Sequence, residues 1–160
     1  MNIKVNNLQM LKRFVSCCSL LYDSAMNRFI GAWRLVSFEE ETSDGEIVYP
    51  YGENPIGLLI YDSSGRMSVQ IMRSDREPFS SNEWQSVPAE EIKKATEGFT
   101  AFFGSFEVDA DNNTVIHRVE GHVLPGSVGK VLLREFEFAG DLLILKPSPN
   151  RRVIWERVTT

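Results

Sequence analysis

The stretch Pro55–Met72, PIGLLIYDSSGRMSVQIM, limits the fold more than any other part of the chain. Asp62-Ser63-Ser64-Gly65 reads as a tight turn between two extended runs. In the first run Ile56, Leu58 and Ile60 point one way, while Leu59 and Tyr61 point the other. A hairpin with one wet face alternates apolar and polar residues. Here both faces are apolar, so this hairpin calls for cover on two sides.

The rest of the chain repeats the theme of short extended runs and turns. Ala32–Thr42 reads as a long strand, Ser43–Glu46 as a turn, and Ile47–Tyr49 as a short strand stopped by Pro50. Met26–Ile30 has the makings of a helical turn, and Arg73–Pro88 reads as a long exposed loop. Helical spacing is convincing only in Pro88–Phe102, where Ile92, Ala95, Phe99 and Phe102 would share one face. Pro88 with Glu90 and Glu91 suits its first turn, and Gly104 would end it. Strands follow at Phe103–Val108, Thr114–Val123, Val131–Phe138, Leu142–Lys146 and Arg152–Val158. The pattern predicts an all-β fold, an up-and-down antiparallel β-barrel of about eight strands with one inserted α-helix. Its lumen would cover one face of the opening hairpin, and the helix or a second copy in a homodimer would cover the other. A sandwich accounts less well for the meander of short hairpins.

Bulk properties exclude several classes. The 160 residues suit one domain, taken as residues 26–160 behind an extension of residues 1–25. A net charge of −5 without a basic cluster argues against a nucleic-acid surface. No apolar run approaches the roughly 18–20 residues that span a bilayer. The two cysteines, Cys17 and Cys18, are adjacent and cannot build a disulfide framework, so a reducing cytoplasm is the simplest setting. After Lys12-Arg13 the run Phe14–Tyr22 is short, broken by Ser and Cys, and followed by Asp23, which makes a poor signal peptide. The extension is expected to be a helical or disordered appendage, and Met26 opens a stretch that reads like a domain start.

Charges on the strands sort their faces. In TVIHRVEGH, Arg118 and Glu120 mark the outside and Val115, His117 and Val119 the inside. His122, five residues after His117 on the same strand, would then face outward. In VLLREFEF, Arg134 travels with Phe136 and Phe138, and in RRVIWERV, Arg157 travels with Val153 and Trp155. On the first strand Trp33, Leu35, Ser37 and Glu39 share a face. A lumen with His117, Arg134, Arg157 and Glu39 must find partners for its cations, because a buried unpaired charge costs several kcal/mol. An Arg can be satisfied by a Trp face and backbone carbonyls, or by the polar head of a ligand. Arg157, with Trp33 near a strand start, suits the first role. For Arg134 both readings stand.

Several motifs together resemble one known family. GAWRLVSFE carries Gly31 and Trp33 in a Gly-x-Trp arrangement, and NPIGLLIYDSSGRMSVQIM, AFFGSFEVD, VIHRVEG and VIWERV follow in order. This set resembles the lipocalin-like domain family of calycin-type barrels over about Phe29–Val158. The resemblance implies an eight-stranded barrel, open at one end, with an apolar cavity, and a closed end where Gly31, Trp33 and Arg157 pack together.

The chemistry is weighed on these faces. Met67, Met72, Phe106, Phe136, Phe138 and Trp155 could supply a ligand-binding wall, with Gln70, His117 and Arg134 orienting a head group. The expected ligand is a small hydrophobic molecule with an acidic or carbonyl head near Arg134 and His117. The alternative is a cofactor-independent isomerase or cyclase that moves a proton with His117 or Glu39 inside the barrel. A third reading is a filled barrel that serves as an interaction module. Metal binding is not expected, since two histidines on opposite faces make no ligand set. No cofactor is expected either: Gly52, Gly57 and Gly65 lie in loop and hairpin with no helix behind them to hold phosphate. Arg73 and Arg76 could rim the mouth, but a solvated loop with local pairing to Asp75 and Glu77 is the plainer reading.

Overall fold

The computed structural model describes residues 25–159, so the expected appendage and both cysteines lie outside the described residues. Residues 25–29 are helical and lead directly into β1 (Gly31–Glu41). The order is then β2 (Ile47–Val48), β3 (Ile56–Tyr61), β4 (Arg66–Met72), α1 (Ala89–Glu97) and β5 (Phe99–Asp109). It continues with β6 (Thr114–His122), β7 (Val131–Ala139), β8 (Leu142–Ser148) and β9 (Arg151–Arg157).

All nine strands lie in one antiparallel sheet ordered β2-β1-β3-β4-β5-β6-β7-β8-β9, and β1 also pairs with β9. That last pairing closes the sheet into an eight-stranded barrel. β2 hangs outside it, bonded only to Glu40 and Glu41 of β1. Closure removes sheet edges, and period-two alternation supplies the core: Leu59 and Tyr61, Met67, Val69 and Ile71, Phe106 and Val108, and Val115 all face inward and are buried.

The opening hairpin is thus half explained. Its Leu59 and Tyr61 face the lumen, but Ile56, Leu58 and Ile60 remain 38–54% exposed. Of the two covers expected, the helix does not serve, since α1 packs near the start of β5. The helix is also shorter than the pattern predicts. Gly98 ends it, its N–H bonded back to the carbonyls of Lys94 and Thr96. Phe99–Phe102, expected on a helical face, are strand residues paired with β4, Phe99 opposite Met72 and Phe102 opposite Val69. Aromatic residues suit a strand that has a free edge to join.

Candidate functional site

The two ends of the barrel differ in chemistry. At the closed end Phe29, 0% exposed, is driven in as a plug beneath the lumen. Its ring meets Tyr61, Phe136 and Phe138 edge-on, with centroids 4.9–5.3 Å apart. Trp33 Nε1–H donates to the Phe29 carbonyl at 2.8 Å. The Arg157 guanidinium lies over the Trp33 ring, 4.1 Å from its centroid. It donates to the carbonyl of Ile30 at 2.9 Å and to that of Arg28. Gly31 holds φ at 132°, and a Cβ there would sit 3.1 Å from Arg157 Nη1. Gly31, Trp33 and Arg157 therefore form a joint in which the Trp33 indole and both Arg157 Nη groups donate to backbone carbonyls.

The open end holds a cavity of about 260 Å³. Its apolar wall includes Phe38, Ile71, Phe102, Val119, Leu132 and Val153. The polar groups lining it are Thr100, His117, His122, Ser127, Lys130 and Arg134, with Trp155 alongside. Among the described residues no Asp or Glu lines it. The strand ends explain the shape: the later residues of β1, β4, β6 and β8 and the early residues of β5, β7 and β9 all meet here.

Two bulges decide which side chains enter. On β1, Leu35 pairs with Trp155 but Ser37 pairs with Ile154, so Val36 is an extra residue. Beyond it the faces exchange. Phe38 joins the cavity opposite Val153, and Glu39, expected in the lumen, lies on the outer wall. There it accepts a hydrogen bond from Ser37 at 2.8 Å and pairs with Arg152 at 3.8 Å. On β6, Gly121 pairs with Phe103 and Val119 with Gly104, leaving Glu120 as the extra residue. The crossing is close enough that a Cβ on Gly104 would lie 1.9 Å from the Arg118 carbonyl oxygen. This bulge turns His122 inward as well, contrary to the opposite faces expected for the two histidines. His122 stacks flat on Phe102, and its Nδ1 accepts the Leu124 N–H at 2.8 Å. Burial and then Lys130 hold its pKa below the ordinary value.

On the inner wall Tyr61 Oη and His117 Nε2 lie 2.7 Å apart. Burial first, then the Arg134 charge, pushes the His117 pKa down to about 3. Burial pushes the Tyr61 phenol well above its ordinary value, with Arg134 opposing. Both groups are neutral at physiological pH. Arg134, opposite Val115 on β7, is half-buried and lines the cavity. Burial lowers its pKa, and Tyr61 acts in the other direction. Guanidinium nevertheless stays protonated. Among the described residues no carboxylate pairs with Arg134 and no acceptor takes its N–H groups. His117 Nδ1 and Trp155 Nε1 are buried without a hydrogen-bond partner among the described residues. Arg and Trp are donors only, so this wall has donors in excess.

Of the residues expected to bind ligand, His117, Arg134 and Trp155 meet at the cavity. Met67, Phe106 and Phe136 face inward but pack in the layer around Phe29, below it. Gln70 and Met72 are corrected to the outer face. The buried set on β4 is Met67, Val69 and Ile71, and Gln70 donates to Ser68 Oγ at 2.7 Å on the other side. Period two already separates Gln70 and Met72 from Met67, so that signal was present in the sequence. Tyr61 was also available on the inward side of its strand. Phe38, Phe102 and His122 were not, because a bulge or a mistaken helix boundary precedes each.

A larger hollow of about 800 Å³ lies between α1 and the loop before it. Its charges satisfy one another: Arg73 with Asp75, Lys94 with Glu77, and the Ser80 N–H with Glu91. Arg76 sits over the Phe99 ring. This rim is a set of solvated local pairs. Among the described residues, no three His, Cys, Asp or Glu side chains cluster as metal ligands, and no helix is long and apolar enough to cross a membrane.

The family match agrees with this architecture. Residues 30–158 match the family of the lipocalin-like domain. Among solved structures, a lipocalin-like protein from Bacteroides uniformis ATCC 8492 is similar at 14% sequence identity and a TM-score of 0.46. The match covers 82% of this chain and 99% of that one. No curated protein matches.

Proposed function

This chain belongs to the lipocalin-like domain family, and from that premise we propose that its lumen binds a small apolar molecule through an acidic or carbonyl head group. The observation that carries the reading is Arg134, a cation facing an apolar cavity with no acceptor among the described residues. Arg134 is half-buried, so its guanidinium is only partly hydrated and part of the cost of desolvating a charge falls on it. A ligand carboxylate would offset that with charged hydrogen bonds of about 1.5–3 kcal/mol each. The unmatched Trp155 Nε1 on the same wall favours an acceptor head for the same reason. The apolar body would gain roughly 25 cal/mol for each Å² removed from water. A cytoplasmic setting belongs to the same reading, and it rests on cysteine usage.

The acid–base alternative is less well supported. Its proposed acid, Glu39, lies on the outer wall, and His117, held neutral, is a weak base.

Calorimetry with octanoate and octanol tests the proposal. Octanoate should bind the wild type at least tenfold more tightly than octanol. Arg134→Met should abolish that preference by weakening octanoate about tenfold to hundredfold, as expected for a lost charged hydrogen bond. Equal affinities of the wild type for both compounds would sink the reading. Native mass spectrometry of protein purified from its own source should reveal a retained carboxylate or carbonyl compound.

A further inference from the structure

The site has a floor, a depth and a volume, and together they narrow the ligand. The floor is the layer around Phe29, where Phe136 and Phe138 pack edge-on against the plug. These two residues follow Arg134 on the same face of β7, so nothing can extend below the guanidinium. Above Arg134 the lining is almost wholly apolar as far as the mouth: Leu132 one step up the same strand face, then Phe38, Ile71 and Phe102. At the mouth itself stand His122, Ser127 and Lys130, with the Lys130 ammonium 3.3 Å from Ser127 Oγ.

Resting on the binding proposed above, we infer that the ligand is a medium-length carboxylate of roughly seven or eight carbons, bound head inward, with its far end at the mouth. The size follows from the cavity of about 260 Å³. One water occupies about 30 Å³ of liquid, so the space holds roughly eight or nine groups of that size. A methylene is a group of similar size, and the carboxylate takes the place of about two. Drug-sized ligands occupy pockets of roughly 300–1,000 Å³, which puts this lumen below the range. Long-chain acids and multi-ring compounds are too large to be enclosed. The orientation follows from the placement of charge. The deep cation lacks an acceptor, whereas the mouth offers hydroxyl, imidazole and ammonium groups that face water already.

The test is a calorimetric series of straight-chain carboxylates, butanoate to hexadecanoate, on the full chain. Affinity should rise about fourfold per added methylene. The rise should stop near eight carbons, because further methylenes project from the mouth and bury little. A rise that continues undiminished to sixteen carbons, or no dependence on length at all, overturns the size. Orientation is read from 8-hydroxyoctanoate against octanoate. A hydroxyl at the mouth stays hydrated, so affinities should agree within tenfold; a loss beyond tenfold would mean that the far end is buried and overturns the head-inward placement. The outcomes separate cleanly from those of the parent reading. If no carboxylate of any length binds, the binding proposal fails. If acids bind and depend on Arg134 but the series has no break, only the size fails.

Discussion

Arg157 and Arg134 are the same residue type on the inner face of neighbouring parts of one barrel, and they meet opposite fates. At the closed end Arg157 stacks on Trp33 and donates to two backbone carbonyls. At the open end Arg134 faces an apolar cavity with no acceptor among the described residues. The connections differ in the same sense. The closed end turns through Asp62–Gly65, Ala110–Asn113 and Gly140-Asp141, all small or polar. The open end carries exposed Tyr49, Trp84, Leu124 and Val128 in its loops. One end has completed its interactions within the chain. The other has left a donor-rich, apolar hollow incomplete among the described residues, the feature on which the proposed binding rests.

The contrast can be broken most forcefully at the plug. Phe29→Ala should cost about 3–5 kcal/mol in urea unfolding, as for other fully buried aromatic residues. A loss below 1 kcal/mol would show that the closed end is not a core. Arg157→Met should cost about 2–3 kcal/mol, since it orphans two carbonyls and removes a stacked cation. Octanoate affinity of the folded Arg157→Met variant should stay within threefold of wild type; a larger fall would couple the two ends.

His117 sharpens the contrast through pH. Its folded pKa of about 3 lies below the unfolded value of 6.5. Above pH 6.5 both states hold it neutral and its contribution is complete. Below that, the unfolded chain takes up a proton that the folded chain refuses until near pH 3, so stability falls with pH across this window. Between pH 7 and pH 5 the wild type should therefore lose about 2 kcal/mol that His117→Phe does not lose. Parallel pH profiles for the two proteins would refute a buried neutral His117.

Arg134→Met should change stability by less than about 1 kcal/mol or raise it, because the cation has no internal partner to orphan. If it destabilised the fold as much as Arg157→Met, the two arginines would be equivalent after all. The smallest effect belongs to Glu39→Gln. Its partners are Ser37 and Arg152 on the outer wall, and about 0.5 kcal/mol or less is expected in both stability and binding.

Much of this was legible before any coordinates. Alternation and turn residues placed the strands to within a few residues, and straightforward period two put His117, Arg134 and Trp155 inside. The same rule should have excluded Gln70 and Met72. Other residues carried no such signal. Val36 and Glu120 look like ordinary strand residues, yet each is an extra one that exchanges the faces beyond it. Phe99 and Phe102 fit a helix or a strand equally well by spacing alone.

By itself, the order of residues determined an antiparallel meander with an apolar inner face, because backbone alternation and turn chemistry act over a few neighbouring positions. It also determined that the barrel would carry charges inside. Tertiary structure alone decided which of those charges would be satisfied. The backbone carbonyls of Arg28 and Ile30 reach Arg157 only once β1 closes on β9, and Glu39 stands on the outer wall, away from the lumen's cations, because a bulge turns it there. Register between distant strands is a property of the closed sheet, and no local pattern records it.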